Sequence, residues 1–332
     1  MTGKVLVTGG LGFIGSAFIR LMSDRAEIVN VDAQTYAADP RRVPKAIRTV
    51  RLDVADGGLG DLMQRERPQI VVHFAAETHV TRSESDEATF FRTNLDGTRT
   101  VLDAARTCGV ELVIHVSTDE VYGPALDHPF REEEKEPGEG RATSAYARSK
   151  ALADDLATSY ADDIRVVVVR PTNCFGPWQH PEKAIPRWTT RALSGARLPV
   201  WGDGGYVRDW MFVDDVCAAI QLLADNDRAG GVYNIGPGGE PLANIDIARK
   251  VAEAAGRGAA DVYLTDYDRP QHDRRYSVDS ARIRAFGWTP EIGVAEGIIQ
   301  TVKWYAANRR WWEPLVSGAE ALYQDALERE GA

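Results

Sequence analysis

The chain has 332 residues, 44% apolar and 8% aromatic, enough for one large α/β unit or a main domain carrying a smaller lobe. A formal net charge of −10 repels polyphosphates at long range and argues against nucleic acid as a partner. The three cysteines, Cys108, Cys174 and Cys217, have no metal-ligand spacing and form no disulfide framework, and no apolar run approaches the ~20 residues of a membrane span; a reduced, cytoplasmic protein without a metal is expected.

In chain order, β-branched runs at Lys4–Thr8, Ile28–Asp32, Thr49–Asp53, Ile70–Ala75, Leu112–Ser117 and Val166–Arg170 read as strands. Each is nearly continuous in apolar residues, as parallel strands covered on both faces are. Helical patterns intervene, notably about Asp86–Cys108 and Tyr146–Ala161. The alternation predicts a doubly wound parallel sheet over residues 1–170. The acidic run Arg131–Glu136 reads as a solvated loop. After Arg170 the rhythm breaks at Pro171, Gly176, Pro177, Pro181 and Pro186, and residues 171–332 read mainly as a smaller substrate lobe. Its elements are helices over Ile185–Ser194, Val213–Ala224 and Ile245–Ala255, with a strand Val232–Ile235 that could rejoin the main sheet. The tail from Trp304, with Trp311 and Trp312 and then a helical pattern to Glu330, reads as an appendage packed on the body.

The first strand ends in Thr8-Gly9-Gly10-Leu11-Gly12-Phe13-Ile14-Gly15, and a helical pattern begins at once. Glycines there let the chain turn tightly and let the backbone approach a pyrophosphate at the helix N-terminus. Asp32, at the end of the second strand, can accept from ribose hydroxyls and would repel a 2′-phosphate, which favours NAD over NADP. Asp53, after the third strand, suits the adenine amino group or a simple strand-end cap equally well.

The strand Leu112–Ser117 runs into Thr118, Asp119 and Glu120, and Tyr146 and Lys150 open a later helix on one face. Lys150 beneath the phenol, with the charge of an oxidised nicotinamide, would lower the Tyr146 pKa so that it takes a hydroxyl proton. Thr118 could hold the same substrate oxygen. Adjacent acids exceed what a simple dehydrogenase needs: once one carbon is oxidised, the neighbouring proton becomes acidic. One carboxylate can then remove it while a carboxylic acid helps a hydroxyl leave as water.

These segments together resemble the extended short-chain dehydrogenase/reductase family, and within it the dTDP-glucose 4,6-dehydratases, up to about residue 305. To those above are added Asp32–Ala37, Ala75–Val80, Thr93–Thr98, Asn173–Pro177, His180–Lys183, Gly202–Gly204, Arg208–Trp210 and His272–Tyr276. The resemblance implies NAD as cofactor, with Gly9, Gly12, Phe13, Ile14, Gly15, Asp32, Thr35, Asp53, Val54, Ala75, Tyr146 and Lys150 on its side. It implies Tyr146 as base at the sugar C4 hydroxyl with Lys150 and Thr118, Asp119 as acid toward the C6 hydroxyl, and Glu120 as base at C5. Asn173, Glu182, Lys183, Arg208 and Arg275 match the nucleotide-sugar clamp. Dimerisation through a bundle of the Asp86–Cys108 and Tyr146–Ala161 helices is implied as well. Sugar-nucleotide epimerases and decarboxylases are similar but usually lack the Asp of the acidic pair. A non-catalytic NAD-binding regulator would lack the Tyr or the Lys. Cys174, Gln271, Thr81 and Trp178 depart from the family pattern, so they bear on which sugar or base is bound.

Overall fold

The structure is a computed structural model that describes residues 3–125, 127–266 and 273–330. Its centre is a seven-stranded sheet in which every pairing is parallel. The first six strands in the chain are β1 (Lys4–Thr8), β2 (Glu27–Asp32), β3 (Arg48–Arg51), β4 (Ile70–His73), β5 (Leu112–Val116) and β6 (Arg165–Pro171). The seventh is Gly231–Ile235, which returns from the second half of the chain to pair with β6. The spatial order is Gly231–Ile235, β6, β5, β4, β1, β2, β3. After β1 the chain moves to one side and later comes back to the other, so a crevice opens beyond the carboxyl ends of β1 and β4.

The apolar runs are continuous because alternate side chains enter opposite cores. Val5 and Val7 face the helices Phe13–Met22 and Val213–Asp225, while Leu6 faces Leu59–Glu66 and Gly97–Cys108. Several predicted strands end early. Ala75 lies beyond β4 because its N–H turns to Thr8 Oγ1 at 3.3 Å, and Asp53 and Ser117 likewise sit just past the last ladder residue. The predicted Asp86–Cys108 helix is continuous but carries a π-turn at Arg92–Asp96. There the Asn94 side chain holds Glu77 by both backbone groups, at 2.9 and 3.0 Å, and also donates to Ser149 Oγ at 2.9 Å. Such local widening is common where a helix serves a site.

The lobe has its own core, in which Ile185, Trp188, Leu198, Val200, Ile247, Val251, Ile298 and Val302 pack around Phe175, Trp210 and Phe212. The tail packs on the body. Trp304 belongs to the helix Val294–Ala307, and the last helix, Arg309–Glu330, begins with Trp311 and Trp312 buried against Trp178, Trp304 and Tyr305. Trp311 donates to Asp39 Oδ2 at 2.7 Å, Arg187 forks onto Glu320 at 3.0 and 2.9 Å, and the Tyr323 hydroxyl donates to the Glu182 carbonyl. The acidic loop is also only partly solvated: Glu132 Oε1 accepts the Asn234 N–H at 2.9 Å, beside the sheet.

Candidate active site

The glycine turn closes on itself before the helix Phe13–Met22 begins. Gly9 has φ +70 and its N–H binds the Val31 carbonyl, while Gly12 N–H returns to the Gly9 carbonyl. A Cβ on Gly15 would lie 2.5 Å from the Gly9 oxygen, and one on Gly9 2.6 Å from Ala75 N, so neither position accepts a side chain. The loop is pinned to β2 by Asn30 Oδ1, which accepts from Gly10 N at 3.0 Å, and by Asp32 Oδ2, which accepts from Leu11 N at 2.9 Å. Asp32 Oδ1 accepts from Gln34 N at 2.8 Å. Burial raises the Asp32 pKa, with these backbone donors opposing, and the carboxylate keeps lone pairs for ribose hydroxyls. Gly12 offers no capping side chain, so the first-turn N–H groups of Phe13 and Ile14 face outward as an anion seat. This cradle fits a dinucleotide pyrophosphate. Thr35 is exposed in the following loop, and Val54 is buried where it meets Gly97. Asp53 accepts from Ala55 N at 2.9 Å and pairs with Arg92 at 2.8 Å, a capped strand end that is still partly open.

The chemical groups gather past β5. Thr118 caps a short helical turn, Asp119–Tyr122, accepting from Glu120 N at 3.3 Å. Its hydroxyl also binds Asp119 Oδ1 at 3.2 Å and Tyr146. Tyr146 and Lys150 enter from the helix Ala145–Ser159, which starts where Ser144 Oγ accepts from Ala147 N at 3.0 Å. Its many alanines favour the helix and let it lie close to the sheet. Lys150 Nζ donates to the Val116 carbonyl at 2.8 Å, and burial pushes its pKa down to about 8, with Asp154 opposing. Behind it burial and the Lys150 charge keep His73 down at about 3. Burial and the Glu120 charge push the Tyr146 phenol up, so the expected lowering by Lys150 is not achieved by the protein alone. Asp119 is 3% exposed, its Oδ2 has no partner, and burial plus the Glu120 and Asp209 charges raise its pKa well above the usual range. Its proton is therefore held more tightly than that of an ordinary carboxyl.

From Glu120 a cleft of about 190 Å³ runs into the lobe. Asn173, Glu182, Lys183 and Arg208 line it, while Arg275 is not among the described lining residues. The Arg275 backbone is occupied bridging Val207, next to Arg208. Lys183 Nζ donates to the Thr78 carbonyl at 3.0 Å, and Arg208 stacks over Tyr276 at 4.4 Å. Asn173 Oδ1 is buried without a partner, an acceptor left for a ligand. Glu182 is tied to Tyr36 by a 2.9 Å hydrogen bond. Of the departures, Cys174 lies close enough to the site for the Asp119 charge to affect it, Thr81 lines the cleft, Trp178 packs on Trp304 and Trp311, and Gln271 lies outside the described residues.

Residues 5–236 match the model of the NAD dependent epimerase/dehydratase family. The chain belongs to this family. Within it, a dTDP-glucose 4,6-dehydratase of Streptomyces niveus is 41% identical over 333 residues, covering 96% of this chain and 97% of the relative. The crystal structure of a dTDP-glucose 4,6-dehydratase from Streptomyces venezuelae, with NAD and TYD bound, superposes with TM-score 0.85 at 40% identity, covering 94% of this chain and 99% of that one. A UDP-glucose 4-epimerase of Thermus thermophilus in complex with NAD also gives TM-score 0.85, at 31% identity over 92% of this chain and 99% of its own. Backbone shape therefore does not separate the two activities of the family; side chains must. Sequence reasoning missed several of those now lining the cleft, including Arg187, Trp201, Asn244 and Tyr323. Asn94, which ties Glu77 to the helix Ala145–Ser159 through Ser149, lay inside a matched segment without an assigned role.

Proposed function

We propose that the chain is a dTDP-glucose 4,6-dehydratase, which converts dTDP-glucose to dTDP-4-keto-6-deoxyglucose and water with NAD as a recycled cofactor. The observation that carries this reading is the acidic pair itself: a buried Asp119, its pKa raised by burial and by the Glu120 charge, beside Glu120 and next to Tyr146. An epimerase needs one oxidation and its reversal, and has no use for a second acid at this point.

Gly9, Gly12, Phe13, Ile14 and Gly15 would hold the cofactor's pyrophosphate; Asp32, Thr35, Asp53, Val54 and Ala75 would surround its adenosine. When bound, NAD would supply a two-electron acceptor for C4, later a donor for C6, and a positive charge. With that charge added to Lys150, Tyr146 takes the C4 hydroxyl proton while Thr118 shares the oxygen. The new C4 ketone acidifies C5, and Glu120 removes the C5 proton. Asp119 gives its proton to the departing C6 hydroxyl, which leaves as water. Glu120 returns a proton to C5 as C6 is reduced. Asn173, Glu182, Lys183, Arg208 and Arg275 are the residues proposed for the nucleoside diphosphate, which gives an acidic protein a local cationic seat for an anionic substrate.

The protein is further proposed to be a cytoplasmic homodimer, built by packing the helical run 87–108 and the helix Ala145–Ser159 against their copies. Three free cysteines support a reducing compartment, and among the described residues no helix is long and apolar enough to cross a membrane. The deciding experiment incubates the protein with dTDP-glucose and follows product mass. Loss of one water without net reduction of added NAD supports the dehydratase. An unchanged mass with a new sugar configuration by NMR would make it an epimerase. UDP-glucose in parallel ranks the bases.

A further inference from the structure

The two halves of the catalytic apparatus sit on different elements. Tyr146 and Lys150 belong to the helix Ala145–Ser159, whereas Thr118, Asp119 and Glu120 belong to the turn after β5. The turn ends at Tyr122, a residue 1% exposed that stacks on Phe130 with ring centroids 5.0 Å apart. Its hydroxyl donates to Asn234 Oδ1 at 2.7 Å and accepts from Arg170 Nη1 at 2.6 Å. Arg170, on β6, turns its remaining nitrogens onto Asp154, with Nε to Oδ2 at 2.9 Å and Nη2 to Oδ1 at 2.7 Å. Asp154 stands one helical turn after Lys150, and both members of this ion pair are buried, with side chains 3% and 1% exposed. Arg170 Nη1 also donates to the Glu132 carbonyl at 3.0 Å, so the acidic loop covers the junction.

We propose that Tyr122 is a positioning residue that holds the acid–base turn in register with the Tyr146–Lys150 helix through Arg170 and Asp154. Two-point donation by a planar guanidinium to Asp154, with a third contact to the phenol, leaves little freedom between the two elements. The phenol is the link on the turn's side. Without it the turn keeps its backbone but loses its fixed bearing on the helix. Oxidation at C4 uses Tyr146 and Lys150 with Thr118 alone from the turn, at its root on β5, whereas water loss also needs Asp119 and Glu120, further along the turn, aimed at the same sugar. The lock therefore serves elimination more than oxidation.

This inference rests on the dehydratase reading, and Tyr122→Phe tests it, because the change keeps the ring and removes the hydroxyl. In single-turnover runs with dTDP-glucose, absorbance of the reduced cofactor reports oxidation, and quenched product mass reports water loss. Water loss should slow about tenfold, the scale of one well-placed hydrogen bond, while oxidation changes less than about twofold, so that reduced cofactor accumulates. Arg170→Lys, which keeps a charge against Asp154 but cannot hold Tyr122 as well, should give the same accumulation. A merely structural role would lower both amplitudes alike without changing the ratio of the two rates. Equal slowing of both steps in Tyr122→Phe, or no slowing of either, would overturn the proposal. The unaltered protein run in parallel separates the two failures: no water loss there defeats the functional reading itself.

Discussion

At the scale of single residues, protonation decides what each acid can do. Asp119 stays protonated in the fold at pH values where the unfolded chain has already ionised it, because burial and neighbouring charge raise its pKa well above 3.8. Between those two pKa values the unfolded state binds fewer protons. Stability must then fall as pH rises, by at most ~1.4 kcal/mol per pH unit from this group. Asp119→Asn, which copies the neutral acid, should therefore gain melting temperature over the parent progressively as pH rises above 3.8, and should lose water elimination. Parallel melting curves for the two proteins across that range would refute the assignment of a neutral acid. Glu120→Gln should behave differently, allowing the cofactor to become reduced on mixing with substrate and then stalling before water loss. If neither reduction nor a change in turnover were seen, Glu120 would not be the C5 base. The phenol of Tyr146 adds a dependence on loading: burial and Glu120 raise it in the protein alone, so in its proposed role as base it would need the cofactor's charge.

At the scale of elements, the turn between β1 and the first helix is the least forgiving piece of the fold. Gly15→Ala would place a methyl 2.5 Å from the Gly9 carbonyl, against backbone that cannot yield cheaply. NAD affinity should fall by tenfold or more, on the order of the 1–3 kcal/mol that such overpacking costs, as titration calorimetry would read it. An unchanged affinity would show that this turn does not seat the pyrophosphate. The same turn was legible in the sequence, because its meaning is local: a β-branched run, glycines at close spacing and a helix immediately after. Tyr146 and Lys150 were legible for the same reason, as neighbours on one helical face, and so were Thr118 to Glu120 as residues just past a strand. The π-turn at Arg92–Asp96 was not. Those residues read as plain helix, and the widening comes from Asn94 reaching Glu77, 17 residues away. Tyr36 was matched by resemblance, yet its bond to Glu182 spans 146 residues and has no signature along the chain. Arg275 had only the family match to recommend it, and its backbone bridge to Val207 places it next to Arg208.

At the scale of the whole molecule, the proposed dimer should show a solution mass twice the 36.5 kDa of one chain by light scattering. A single-chain mass at micromolar concentration would remove the helical bundle from the description. Within one chain, the second half does more than cap the first, since the strand Gly231–Ile235 and the helix Val213–Asp225 complete the main sheet and one of its faces. The last helix crosses between the two regions. Trp311 fastens it to Asp39, in the segment that follows β2, and Glu320 and Tyr323 fasten it to Arg187 and the Glu182 carbonyl at the cleft wall. A helix held at both places reports occupancy to the outside. Ligands that bind only the folded protein tighten those fastenings by mass action. Protease cleavage across residues 309–323 should accordingly slow when NAD or a nucleoside diphosphate is added, and a tag joined after this helix would hang from a strut, whereas a truncation before Trp311 would cut one.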